Sequence, residues 1–203
     1  MSIGKRTLLL PFLLVLVGAF ASAQTNPSPT PHATQVYSLG DQMVYIDGGL
    51  FIPLFFMDEG GNHYPTNLSL GGDASIGWNA FLSNNFSLGA ELGGTFSFSP
   101  NNRSLIMIPL TGKVTYWLRF YPFEFPIYLG AGINFMKLSN YLYFGPILKP
   151  GFGAYYDITS KWSAGVDLVY WWVPEIYFGP NPPASQSRFG NFLQISAAIG
   201  FHF

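Results

Sequence analysis

From about residue 43 to Phe203, apolar side chains recur at every second position, and the phase they occupy carries no charge. A period of two is the mark of a strand whose two faces meet different surroundings. The last segment shows it plainly. Leu193, Ile195, Ala197, Ile199, Phe201 and Phe203 share one phase, while Gln194, Ser196, Ala198, Gly200 and His202 share the other. Beyond the first 23 residues no apolar run approaches the roughly 20 residues that a membrane helix needs. Greasy residues spaced this way can instead form the outer face of a closed sheet in lipid.

Eight alternating segments succeed one another: about 43–56, 68–82, 86–98, 105–120, a fifth starting at Pro126, about 148–158, 162–172 and 189–203. Ser83-Asn84-Asn85 and Thr159-Ser160-Lys161 read as tight turns. Connections after the second, fourth and sixth segments are short. The others run longer on average, up to about 16 residues from Val173 to Arg188. The pattern predicts an all-β fold, an eight-stranded antiparallel up-and-down transmembrane barrel. Both termini and the short turns would lie at its periplasmic end, and residues 189–203 would close it against residues 43–56.

Composition points the same way. Only 9% of residues are charged and 18% are aromatic, whereas ordinary soluble domains carry roughly 25% charged residues. A soluble lipocalin-like barrel would need its charged phase outside, and too few charges exist to cover it. Lys5 and Arg6, the apolar stretch Leu8 to Phe20, and Ala21-Ser22-Ala23 predict a cleaved signal peptide over 1–23, with Ala21 and Ala23 at the cleavage site. Residues 24–41, rich in Pro, Ser and Thr, predict a disordered leader, and 42–203 the barrel. There is no cysteine, which excludes disulfides, thiolate metal sites and a lipid-anchored amino terminus. Without Lys5 and Arg6, seven basic residues stand against ten acidic ones, so nucleic acid is not an expected partner.

The charges fall in the phase opposite the apolar one: Asp47, Asp73, Glu91, Lys113, Arg119, Lys149, Asp157 and Asp167. A basic side chain facing lipid at the midplane costs about 2–4 kcal/mol, which explains the purity of the apolar phase. Asn191 alone interrupts it with a polar group. The inward phase also holds many small residues, among them Gly77, Gly89, Gly130, Gly151 and Gly153. An eight-stranded barrel has little interior room, so small residues would leave space for a charge network. Centring the hairpin on residue 102 puts Glu91 directly opposite Lys113, and a buried ion pair is expected there. Pro53, Pro109 and Pro150 lie inside segments and predict bulges or strand ends.

Aromatics gather towards the segment ends. Tyr116, Phe120, Tyr121, Phe123, Phe125, Trp162, Phe201 and Phe203 fall at the short-turn end. Phe55, Phe56, Phe96, Phe98, Tyr143, Phe144, Tyr170 and Trp172 fall at the other. Two belts of this kind match two membrane interfaces.

With these segments in view, the chain resembles the small eight-stranded outer-membrane barrels of the OmpW and OmpX type. The resemblance rests on Pro126-Ile127-Tyr128-Leu129-Gly130-Ala131-Gly132-Ile133, on the hairpin from Gly151 to Ser163, and on the terminal Phe203. It implies a monomer in the bacterial outer membrane, in contact with lipid and lipopolysaccharide. It also implies insertion by the β-barrel assembly machinery, with Phe203, Phe201 and Ile199 as the assembly signal. Members serve in adhesion, serum resistance, passage of small apolar molecules or envelope integrity.

Enzymes exist among barrels of this size, but the histidines here do not form a catalytic set. His32 lies in the leader, His202 at the expected periplasmic rim, and His63 in the first loop beside Asp58 and Glu59. One histidine with two loop acids is a weak metal pattern. No catalytic residue, cofactor or metal is expected. Two functions compete: a structural or surface-interaction role through the loops, with a host or environmental ligand as partner, and a narrow channel or portal for small or apolar solutes; a lipid A-modifying enzyme ranks behind both.

Overall fold

A computed structural model describes residues 37–99, 104–138, 141–176 and 187–203. The expected signal peptide with Ala21 and Ala23, the expected leader up to residue 36, and the tips of three loops lie outside the described residues.

Among the described residues nine strands occur in order: β1 (Gln42–Met57), β2 (His63–Pro65), β3 (Gly71–Ser83), β4 (Phe86–Phe98), β5 (Ser104–Phe120), β6 (Phe123–Leu138), β7 (Tyr141–Asp157), β8 (Trp162–Glu175) and β9 (Arg188–His202). Eight of them close a barrel in which every neighbour is antiparallel. The closure is the β1–β9 ladder, from Met43 opposite His202 to Met57 opposite Phe189. Phe203 extends it through paired backbone bonds with Gln42, at 2.9 and 3.0 Å. The ninth strand, β2, is a short extension on the end of β1 that the alternation did not predict.

The apolar phase faces out. Ile46 and Val166 are each 56% exposed, while Asn79, Thr111 and Thr115 on the other face are buried. Asn191, in the outward phase, is satisfied locally: it accepts from Tyr170 Oη, and its amide donates to the carbonyl of Phe189 at 2.8 Å.

Several boundaries differ from the sequence reading. Strand β7 begins at Tyr141, not near Leu148, and β6 runs to Leu138, so only residues 139–140 join them. Pro146 hid this extension, yet it pairs with Ile133, and Phe135 packs on Phe144 at 4.8 Å. The leader also ends earlier than residue 41. Tyr37 is buried, stacked on Phe81 at 4.3 Å, and its backbone N–H donates to the Asn84 side chain.

The three prolines interrupt pairing in two ways. Beside Pro53 the β1–β9 register shifts by one residue at Leu54. At Pro109 and Pro150 pairing with β4 and β8 lapses and resumes in the same register. The shift at Leu54 reverses the phase of the residues beyond it. Phe56, expected in the outer aromatic belt, therefore packs inside against Phe192, with ring centroids 6.2 Å apart. Tyr143 also leaves the belt: its hydroxyl accepts the backbone N–H of Ile176 at 2.8 Å.

Candidate functional site

The barrel interior is built in layers, and the layering decides what the molecule can do. Its middle is polar. Glu91 on β4 receives Lys149 from β7 on Oε1 and Tyr45 from β1 on Oε2, the latter at 2.7 Å. Lys113 Nζ lies 3.5 Å from the same Oε2. The pair expected from the hairpin is present, but the hairpin is centred elsewhere. Lys113 is opposite Gly89, and Glu91 is opposite Thr111. The long side chains span the offset, and Lys149 becomes a second cation that sequence spacing gave no reason to place there.

Around this triad stand Asp167, Asp73 and Asp47. Asp167 accepts from Tyr128 at 2.9 Å and from Tyr155. Gln194 donates to Asp73 at 2.7 Å and to Asp47 at 3.2 Å, and Ser75 also donates to Asp47. Lys113 rests over the rings of Tyr45 and Tyr128, and Lys149 over Trp171, all between 4.2 and 4.4 Å. Buried charges need such partners, since an unpaired one is costly.

Apolar layers close the polar one on both sides. Towards the loops lie Phe51, Met107, Ile147, Trp171, Val173 and Phe192. Towards the turns lie Met43, Phe81, Trp117 and Tyr37. The sequence reading treated the inward phase as charged and small, and so missed these layers. Their signal was present: Phe51, Phe81, Trp117 and Phe192 all stand out of phase with their apolar neighbours.

Arg119 and Asp157 sit apart from the central network, at the turn end. Arg119 Nε lies 3.2 Å from Glu124 Oε1, its direct partner across β5 and β6. Glu124 is 2% exposed and faces inward. It was missed because the fifth segment was started at Pro126, although Phe123, Phe125, Ile127 and Leu129 already alternate around it. His202 joins this rim. Ser163 Oγ is 3.1 Å from its Nε2, and Tyr37 Oη is 3.4 Å away. His63 is elsewhere, exposed and stacked on Phe55 at 4.6 Å. Asp58 beside it is occupied by Asn62 and Tyr64, and these bonds lower its pKa to about 2.

Above the loop-side apolar layer is a cavity of about 410 Å³. Leu105 and Phe192, Phe56 and Leu68, and Met136 and Leu138 supply its apolar lining, with Thr66, Asn67, Ser99 and Glu175 as polar edges.

A model of an uncharacterised protein family matches residues 24–201. The chain belongs to that family. Among curated proteins it is similar to two uncharacterised proteins of Treponema pallidum (strain Nichols). They are 27% and 26% identical over 74% and 66% of this chain, and over 50% and 59% of their own lengths. The chain thus spans about half the length of the first of these relatives. An uncharacterised protein of Borreliella burgdorferi (strain ATCC 35210 / DSM 4680 / CIP 102532 / B31) is 24% identical over 76% of this chain and 79% of its own.

Among solved structures, Neisserial surface protein A matches with a TM-score of 0.61 at 11% identity, covering 81% of this chain and 99% of that one. The outer membrane protein OprG of Pseudomonas aeruginosa matches at 0.51 and 11%, covering 84% and 99%. The fold is that of the small eight-stranded outer-membrane barrels.

Proposed function

We propose that this chain is an integral outer-membrane barrel that acts by binding at its loop end, without conducting and without catalysis. The observation that carries this is the contrast along the barrel axis. The interior is filled by an ion-paired layer between two apolar layers, while an apolar cavity opens over them beside the loops. A filled eight-stranded interior leaves no wide water path. A concave apolar site with a few polar edges is what a small apolar molecule, or an apolar side chain of a surface partner, requires. Lipid and lipopolysaccharide would surround the outer face, assembly would use the β-barrel assembly machinery, and the loops would face the exterior.

The second reading is a portal for small apolar solutes, and the apolar lining of the same cavity favours it. Two measurements on the folded barrel separate the readings. In planar bilayers the first expects no discrete conductance steps. With an apolar fluorescent naphthylamine, it expects saturable binding that Leu68→Asp weakens, without transfer across a proteoliposome membrane. Barrel-dependent transfer of the dye would favour the portal. Reproducible conductance steps would overturn the binding reading.

A further inference from the structure

We propose that Glu124, Asp157 and His202, brought together from the ends of β6, β7 and β9, form a binding site for a divalent transition-metal cation at the turn end of the barrel. One ligand atom from each residue lies within 4.8 Å of the others. Around a tetrahedral ion with bonds of about 2.0–2.2 Å, neighbouring ligands stand roughly 3.4 Å apart. Side-chain movements of up to roughly an ångström bring the three atoms to that spacing.

The second observation is what these side chains lack. Glu124, Asp157 and His202 are 2%, 5% and 4% exposed. Glu124 Oε2, Asp157 Oδ1 and His202 Nδ1 have no hydrogen-bond partner among the described residues. Two buried carboxylate oxygens and an imidazole nitrogen left unsatisfied together are costly. One cation satisfies all three.

The other ligand-capable atoms of His202 and Glu124 are engaged. Ser163 Oγ stands 3.1 Å from His202 Nε2. If Nε2 carries the proton and donates to it, the Nδ1 lone pair is free to ligate, the arrangement by which outer-shell groups orient a metal-binding histidine. Arg119 stands against Glu124 Oε1 and leaves Oε2 open. The backbone is fixed too: Asp157 donates to the carbonyl of Pro122 at 2.9 Å, and His202 to that of Lys161 at 2.8 Å. A cleft of about 220 Å³ lined by Tyr37, Asp41, Lys161, His202 and Phe203 reaches His202 from the turn end.

Arg119 sets the selectivity. Two carboxylates and one guanidinium leave a formal charge of −1, too little to hold a hard cation by charge alone. Calcium and magnesium favour all-oxygen sites, whereas an imidazole with two carboxylates suits zinc or manganese.

The test is isothermal titration of the folded, full-length barrel in detergent micelles with zinc chloride, repeated with manganese chloride. We expect one equivalent bound. His202→Ala and Asp157→Asn should each weaken binding at least tenfold, Ser163→Ala by about tenfold as an outer-shell change, and His63→Ala should leave it unchanged. No saturable binding to the wild type overturns the proposal, as does an affinity that His202→Ala and Asp157→Asn leave intact. Displacement of zinc by equimolar magnesium overturns the assigned metal class. Folding of each variant is checked by heat-modifiable gel migration. If the two ligand variants do not fold, Ser163→Ala and Glu124→Gln decide, and unchanged affinity in both overturns the site.

Discussion

Tyr45 lies across Gly77, its partner in the β1–β3 ladder, so closely that a Cβ at Gly77 would fall 2.1 Å from Tyr45 Cζ. The relationship recurs. Tyr128 covers Gly151 across β6 and β7, and Tyr155 covers Gly165 across β7 and β8. These three hydroxyls donate to Glu91 and Asp167 at the centre of the barrel. An aromatic ring over a cross-strand glycine protects a stretch of sheet that has no side chain of its own. Here it also aims the phenol at a buried carboxylate.

Gly77→Ala should therefore displace Tyr45 from Glu91 and destabilise the barrel by about 1–3 kcal/mol, the usual cost of overpacking. Gly94→Ala, where an added Cβ meets nothing within 4 Å, should be close to neutral. Urea unfolding of both variants in detergent, monitored by tryptophan fluorescence, checks the contrast.

Glu91→Ala would leave Lys113 and Lys149 facing each other without their shared anion. Removing one member of a buried ion pair typically costs about 3–5 kcal/mol. A lowered urea midpoint is expected. An unchanged midpoint would show that the network contributes little to stability.

Ile76, outward and 52% exposed near the middle of β3, should meet lipid. Ile76→Arg should cost about 2–4 kcal/mol in a bilayer. Refolding into liposomes and into solution-like short-chain detergent compares the two surroundings. Equal stability in both would argue against a lipid-facing position.

Deleting Phe203 removes the last backbone pair with Gln42 and a 57% exposed aromatic ring. Assembly should suffer before any binding does. The readout is the heat-modifiable fraction recovered from outer membranes, and normal recovery would remove Phe203 as an assembly signal.

The Asp58 carboxylate is held down to about 2 chiefly by the Asn62 side chain, then by the Asn62 backbone and Tyr64. A depressed pKa stabilises the ordered turn above the ordinary aspartate value of about 4, and that support is lost as pH falls through about 2. The protection of the Asn62 amide, its exchange rate taken relative to the intrinsic rate at each pH, should fall across that window. In Asp58→Ala it should already be low at neutral pH.

The strand alternation was legible in the sequence because lipid imposes it one residue at a time. Each outward position excludes charge independently of its neighbours, so the phase of Ile46, Leu92, Val166 and Ile199 needs no knowledge of partners. Eight strands, their direction and the inward phase of Asp47, Asp73, Glu91, Lys113, Lys149 and Asp167 come from that one constraint. The tertiary structure decided what depends on register. A single bulged residue at Leu54 turned Phe56 inward, a centre shifted by one residue offset Glu91 from Lys113, and strand extension carried Glu124 into the rim. Lys149 reaches Glu91, and Glu124 meets Asp157 and His202, only because closure of the barrel brings separate strands around one interior, and no local pattern encodes that distance.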